Sequence, residues 1–184
     1  RITETVNTIE PTGANLVSKQ TFTHDQYNNV TDTYEYDFGS GSVGGLLRRT
    51  QTNYLTTNNG YDYACDPSST CSATLNLSKV VHIRSLVSQV SVYDSGGVER
   101  ARITNEYDNY SAYTNHAPLI NRSSISGLDA AFTVSYLTRG NHTGTTRYLL
   151  TNGSVTGSIS ASEQFDIAGN VVKTIDGRGF ITTF

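Results

Sequence analysis

Hydrophobic positions in this chain recur at two-residue spacing, in short runs cut by turn-forming residues, the period of half-buried β-strands. Residues 163–184, EQFDIAGNVVKTIDGRGFITTF, state the pattern most compactly. Phe165-Asp166 ends one extended run, Gly169-Asn170 supply a turn, and Val171 to Ile175 form a β-branched return. Asp176-Gly177-Arg178-Gly179 then turn the chain into Phe180 to Phe184. Gly and Asn tolerate the positive φ of a tight turn, and an Asp carboxylate can accept bonds from backbone amides two residues on.

Two looser copies lie upstream. His24-Asp25, with Asn28-Asn29 in the turn, runs on to Tyr36-Asp37, and Tyr93-Asp94, with Gly96-Gly97, runs on to Tyr107-Asp108. From first to second Asp, these copies and the Asp166–Asp176 copy span 12, 14 and 10 residues. All three intervals are even, so a strand period of two would keep the terminal side chain on one face. The copies start at residues 24, 93 and 165, which points to a larger repeat of about seventy residues.

The same periodicity places an edge strand in residues 1–9, ended by Pro11-Thr12-Gly13, and a first hairpin in 19–25 and 30–38. Tyr34, Tyr36 and Phe38 share one face there and read as a packing ladder. Strands follow at 46–55, 77–94 and 98–107, with loop insertions near 56–76 and 108–131. A further hairpin is expected from 132–138 and 142–150 around Arg139-Gly140-Asn141, with Gly153 and Gly157 breaking the chain before the final strands. The best helical candidate is one turn at Leu128 to Ala131. The expectation is all-β, a single unit over 1–184 built as an antiparallel β-hairpin repeat array.

Tyr36-Asp37, Tyr93-Asp94 and Tyr107-Asp108 occur with the ordered series LVSQVSVYDSGG, ARITNEYDNY, SYLTRGNHTGTTRYL and QFDIAGNVVKTIDGRG. Together they resemble the YD-repeat, or Rhs-repeat, family of large bacterial proteins over most of residues 19–184. The resemblance implies hairpin arrays coiled into a curved sheet or hollow shell, often around a toxin-like domain, in secreted or cell-surface proteins. It implies adjoining repeats or identical copies as partners, and an enclosed cargo domain. The family's cleavage activity belongs to a core near the end of the array with an Asp-Pro signature. Asp66-Pro67 lies elsewhere, between two cysteines, so no protease role is carried over.

Composition narrows the picture. Of the residues, 36% are hydrophobic and 16% charged, with no Met or Trp, which suits strands with one wet face and not a helical bundle. A net charge of −3 with thirteen scattered Lys and Arg argues against nucleic acid as a partner. No apolar run approaches the roughly 20 residues needed to span a bilayer. The missing initiator Met and the stop within a repeat are what a piece of a longer chain would show. Cys65 and Cys71 enclose a short turn-rich loop that a disulfide could close, which favours an extracellular or cell-surface setting; metal and free thiols are the alternatives.

No catalytic constellation, cofactor motif or metal motif emerges. Gly39, Gly41 and Gly44 match G-x-G-x-x-G formally, but the following LLRRTQTNYL has β character where a nucleotide site needs a helix, so residues 39–45 read as a flexible loop. His24, His82, His116 and His142 sit in different segments, and Asp25, Asp94 and Asp166 read as turn caps. Six N-x-S/T sequons occur, at Asn29, Asn76, Asn109, Asn121, Asn141 and Asn152. The functional expectation is a non-enzymatic scaffold. The alternative is an adhesin or glycan-binding surface module using the two insertions, and a hydrolase using Asp and His is a distant third.

Overall fold

The computed structural model describes residues 1–10, 15–64, 81, 83–113, 115–123 and 125–184. Cys65, Cys71, Asn76 and His82 lie outside the described residues, as does the disulfide expected of the two cysteines.

The described residues form an all-β, antiparallel architecture without a helix. Twelve strands follow the period-two runs: β1 (Glu4–Ile9), β2 (Leu16–His24), β3 (Val30–Ser40), β4 (Leu46–Tyr54), β5 (Thr57–Asn58), β6 (Tyr61–Asp62), β7 (Val87–Asp94), β8 (Glu99–Tyr107), β9 (His142–Thr151), β10 (Ser154–Phe165), β11 (Val171–Ile175) and β12 (Ile181–Thr183). Ten make one sheet in the order β1-β2-β3-β4-β7-β8-β9-β10-β11-β12, while β5 and β6 pair separately. Each strand of the large sheet therefore lies beside the strand nearest to it in sequence, a meander in which contacts are as local as a sheet allows.

By internal contacts the chain divides into two compact units, Arg1–Asn53 with Gln89–Ile103 and Tyr148–Gly157, and Tyr54–Ser88 with Thr104–Arg147 and Ser158–Phe184. The first unit is held largely by polar side chains. Arg49 bonds Asp32 at 2.8 Å, Gln20 bonds Glu35 at 3.1 Å, and Lys19 bonds Glu4 at 3.3 Å. The expected tyrosine ladder takes another form: Lys19 lies 5.0 Å from the Tyr36 ring centre, and Arg49 lies 5.6 Å from Tyr34 and 5.4 Å from Tyr93. Cations cover the rings of this row, and Phe38 is left 45% exposed. Glu99 is buried, and its bond from Arg102 outweighs burial and holds the carboxyl below the usual range.

The second unit contains the apolar core. Tyr110, Leu119, Phe165 and Ile167 are buried together, with Ile125, Leu128 and Val171 packed against them. Three of these positions lie on the Phe165–Val171 hairpin and four in the 108–131 insertion, so the insertion supplies core as well as surface.

Four sequence expectations are corrected. Residues 132–138 form no strand: local turns close through Phe132 N–H to Asp129 O and Tyr136 N–H to Thr133 O, and the Arg139 side chain donates to Tyr136 O at 2.8 Å and to Thr133 O at 2.9 Å. The hairpin partner of β9 is β10, joined through Asn152 (φ 51°) and Gly153 (φ 80°), the two positive φ values of a type I′ turn. Gly157 lies within β10, where an added Cβ would stand 3.8 Å from Leu149 Cβ, and breaks nothing. Residues 39–45 are a loop only in part: Gly39 and Ser40 belong to β3, and the residues that follow are tied back to it, Gly44 N–H bonding Asp37 O at 2.9 Å and Asp37 N–H bonding Gly45 O at 2.9 Å. The one-turn helical candidate at Leu128 to Ala131 forms turns, with Ala131 N–H bonded to the Asp129 carboxylate.

Candidate functional site

The repeat aspartates build one turn four times. Asp25, Asp166 and Asp176 each begin a five-residue connection, joining β2–β3, β10–β11 and β11–β12, and Asp94, the last residue of β7, holds the same place before the four residues that lead into β8. In each, Oδ1 accepts the N–H groups two and four residues on, at 2.8–3.0 Å: Tyr27 and Asn29, Gly96 and Val98, Ala168 and Asn170, Arg178 and Phe180. The residue three places on donates its N–H back to the Asp carbonyl and has positive φ: Asn28 (73°), Gly97 (80°), Gly169 (83°) and Gly179 (85°). That is why Asn or Gly stands there. Asn29 and Asn170 add side-chain bonds to their carboxylates at 2.8 and 3.0 Å. His24 and Phe165 sit at register shifts beside their turns, opposite Val30 and Val171.

Charge reinforces these turns. Asp166 is fully buried; burial alone would raise its pKa, but bonds from the Asn170 side chain, from the Asn170 and Ala168 amides and from Arg122 outweigh it and hold the carboxyl below the usual range. The Val98 amide and Arg100 do the same for Asp94, as do the Phe180 and Arg178 amides for Asp176. Depressed folded-state values stabilise the fold above the unfolded aspartate pKa of about 3.9, and that stabilisation is lost as pH falls through the folded values. The urea midpoint should therefore hold steady from neutral pH down to about pH 5 and fall below about pH 4. Asp94→Asn should flatten the fall, and an unchanged profile would show that the turn carboxylates do not drive it.

The terminal aspartates do not share one environment, contrary to the even-spacing expectation. Asp37 is exposed and Asp176 has a 43% exposed side chain, but Asp108 is 1% exposed. Asp108 takes a left-handed backbone (φ 52°), which aims its carboxylate into the second unit. Oδ1 accepts Tyr110 Oη at 2.8 Å and Asn141 N–H at 2.9 Å; Oδ2 accepts Tyr63 Oη at 2.6 Å, Arg139 N–H at 2.9 Å and Gly140 N–H at 2.8 Å. Burial, then Asp108 itself, keeps both phenols protonated far above the ordinary tyrosine range. The β5–β6 hairpin completes the clasp, with Asn58 Nδ2 donating to Tyr107 O at 2.7 Å and Asn59 Nδ2 to Asp108 O at 3.2 Å. The described part of the 56–76 insertion thus supports Asp108, with Tyr63 wholly buried. Tyr107 bonds Val87 O at 3.0 Å and meets the His142 ring edge-on at 5.6 Å.

One groove of about 530 Å³ opens on the second unit, between the end of β8, residues 109–116, and the facing parts of β9 and β10. His116 Nε2 lies 2.9 Å from Glu106 Oε2, and Asn109 Nδ2 donates to Glu106 Oε1 at 2.7 Å. The loop is tied to the sheet: Asn115 O accepts Ser162 Oγ at 3.0 Å and Gln164 Nε2 at 3.1 Å, and Asn109 N–H donates to Thr143 Oγ1 at 3.1 Å. The groove was not foreseen from sequence, since its residues are far apart in the chain. Its one sequence signal was Gly144 inside a strand, the mark of a close approach. Among the described residues no group of three or more His, Cys, Asp or Glu side chains is placed to hold a metal, and no helix is long and apolar enough to cross a membrane.

Comparisons with protein-family models, with characterised proteins and with solved structures find no match to this chain.

Proposed function

We propose that this chain is a non-enzymatic scaffold, a segment of a YD-repeat-type curved sheet in a secreted or cell-surface protein, where adjoining repeats or identical copies continue the sheet around an associated domain. The observation that carries this reading is the fourfold recurrence of one Asp-stapled turn in a sheet whose strands follow chain order. A turn with one wiring delivers each return strand in the same register, so hairpins can be added laterally without a new solution at each step.

The sheet ends support lateral continuation. β1 and β12 each have one neighbour, and every residue in both is exposed. Phe184 N–H bonds Val172 O and Phe180 O accepts Asp176 N–H, so Thr182 also faces β11 and the N–H groups of Ile181 and Thr183 point outward. Phe180 (66% exposed), Ile181 (58%) and Phe184 (75%) flank this edge, and no proline blocks it. On β1, Thr3 O accepts Phe22 N–H, which leaves Glu4, Val6 and Thr8 facing outward by the same count.

Sedimentation velocity from micromolar to millimolar protein tests the reading. Concentration-dependent self-association is expected, reduced by Thr183→Pro or Val6→Pro, each of which removes an outward N–H and leaves the internal ladder intact. A monomer at every concentration would defeat the scaffold reading.

A further inference from the structure

We infer that the groove beside His116 is a binding site for a neutral oligosaccharide. The inference stands apart from the scaffold reading, since it concerns a concavity within the second unit and not the sheet edges.

Sugar hydroxyls donate and accept at once, so a sugar site needs both kinds of partner, held still. The groove offers the planar side chains of Asn105, Glu106 and Asn109 together with the hydroxyls of Thr146 and Ser160. These groups are fixed before any ligand arrives. Glu106 is gripped by Asn109 and His116, and Asn109 Oδ1 accepts both Ser111 N–H (3.2 Å) and Ser111 Oγ (2.6 Å). Preorganisation of this kind lowers the entropic cost of binding.

The floor is kept open. Gly144 lines the groove, and a Cβ there would stand 3.1 Å from Glu106 Oε2 and 3.5 Å from both Ala161 O and His116 Cε1. Even alanine would crowd the carboxylate into the space. At the wall stands Tyr113, 78% exposed although its loop is bonded to the sheet on either side. An exposed ring beside a row of amide and hydroxyl groups is suited to the apolar C–H face of a pyranose.

The lining also argues against other ligand classes. It contains no Lys or Arg, and its one carboxylate would repel sulfate, phosphate or uronate groups. It has no Leu, Ile, Val or Phe, so an apolar ligand would find little to bury against.

Ligand-observed NMR of the full chain with chitotriose, maltotriose and cellotriose, alongside a glycan array, tests the site. The expected result is saturable binding of a neutral glycan, weakened about tenfold by Tyr113→Ala, the effect of losing one stacked ring. Tyr113→Ala should leave the melting midpoint unchanged, because the side chain is exposed, and Thr146→Ala serves as a second variant that leaves the Glu106 clasp intact. Sialylated or sulfated analogues should bind more weakly than their neutral parents. No saturable binding by any neutral glycan, or binding indifferent to both substitutions, would overturn the assignment.

Discussion

Asp108→Ala should cost at least about 3 kcal/mol of folding stability, the largest loss expected from one polar substitution in this chain. Five donors converge on the carboxylate, and of these the two tyrosine hydroxyls can at least turn their O–H bonds about the ring axis. The amides of Arg139, Gly140 and Asn141 cannot, and each buried N–H left without an acceptor costs about 1–3 kcal/mol. Alanine also loses the local tolerance of Asp for the left-handed backbone at φ 52°.

Asp108→Asn separates charge and geometry from backbone strain, because Asn accepts the same φ. Its NH₂ must replace one oxygen. On the Oδ1 side it meets the Asn141 N–H, and on the Oδ2 side those of Arg139 and Gly140. The gentler orientation orphans one backbone amide, so the expected loss is about 1–3 kcal/mol, between alanine and wild type. Asp37→Asn is the control: the residue is exposed, and its shift should stay within about 0.5 kcal/mol. Urea unfolding at constant m-value reads all three, and equal midpoints for the two Asp108 variants and the control would show that the cluster is not a structural node.

The contrast between Asp108 and its sequence counterparts shows where a chain can be read locally. Asp25, Asp94, Asp166 and Asp176 bond amides only two and four residues away, so a five-residue window carries the whole turn. The antiparallel strand type followed from the same windows. Asp108 has the same local signature as Asp37, but its partners Tyr63 and Arg139 stand 45 and 31 residues away. No periodicity encodes them. The error at 132–138 has the same origin: its apolar alternation imitates a strand, yet Arg139, through its bonds to Thr133, Tyr136 and Ile167 carbonyls, organises the segment as a loop. The β9–β10 turn, by contrast, was legible in Asn152-Gly153, the strongest short hairpin signal there is, and only its reading as a chain break hid it. The groove falls in the inaccessible class. Glu106, His116 and Gly144 meet only because β8, β9 and the intervening loop fold together.

Residues 39–45 give the sharpest test of a glycine's role, because two adjacent glycines there should behave oppositely. A Cβ on Gly44 would stand 2.7 Å from Asp37 O and 2.9 Å from both Asp37 C and Phe38 O. All three are backbone atoms of β3, which cannot rotate aside as a side chain would. Gly44 N–H is itself bonded to Asp37 O, so relief of the clash would break the contact that closes the turn. Gly44→Ala should therefore destabilise by about 2 kcal/mol, as overpacking of a closed structure does. A Cβ on Gly45 meets nothing within 4 Å, and the residue has no positive φ to forbid one. Gly45→Ala should be neutral or stabilising by up to about 1 kcal/mol, since alanine restricts the unfolded chain more than glycine does. Thermal melts of the two variants, made side by side, decide the matter: shifts of opposite sign or clearly unequal size are expected, while equal shifts would mean that residues 41–45 swing free of β3.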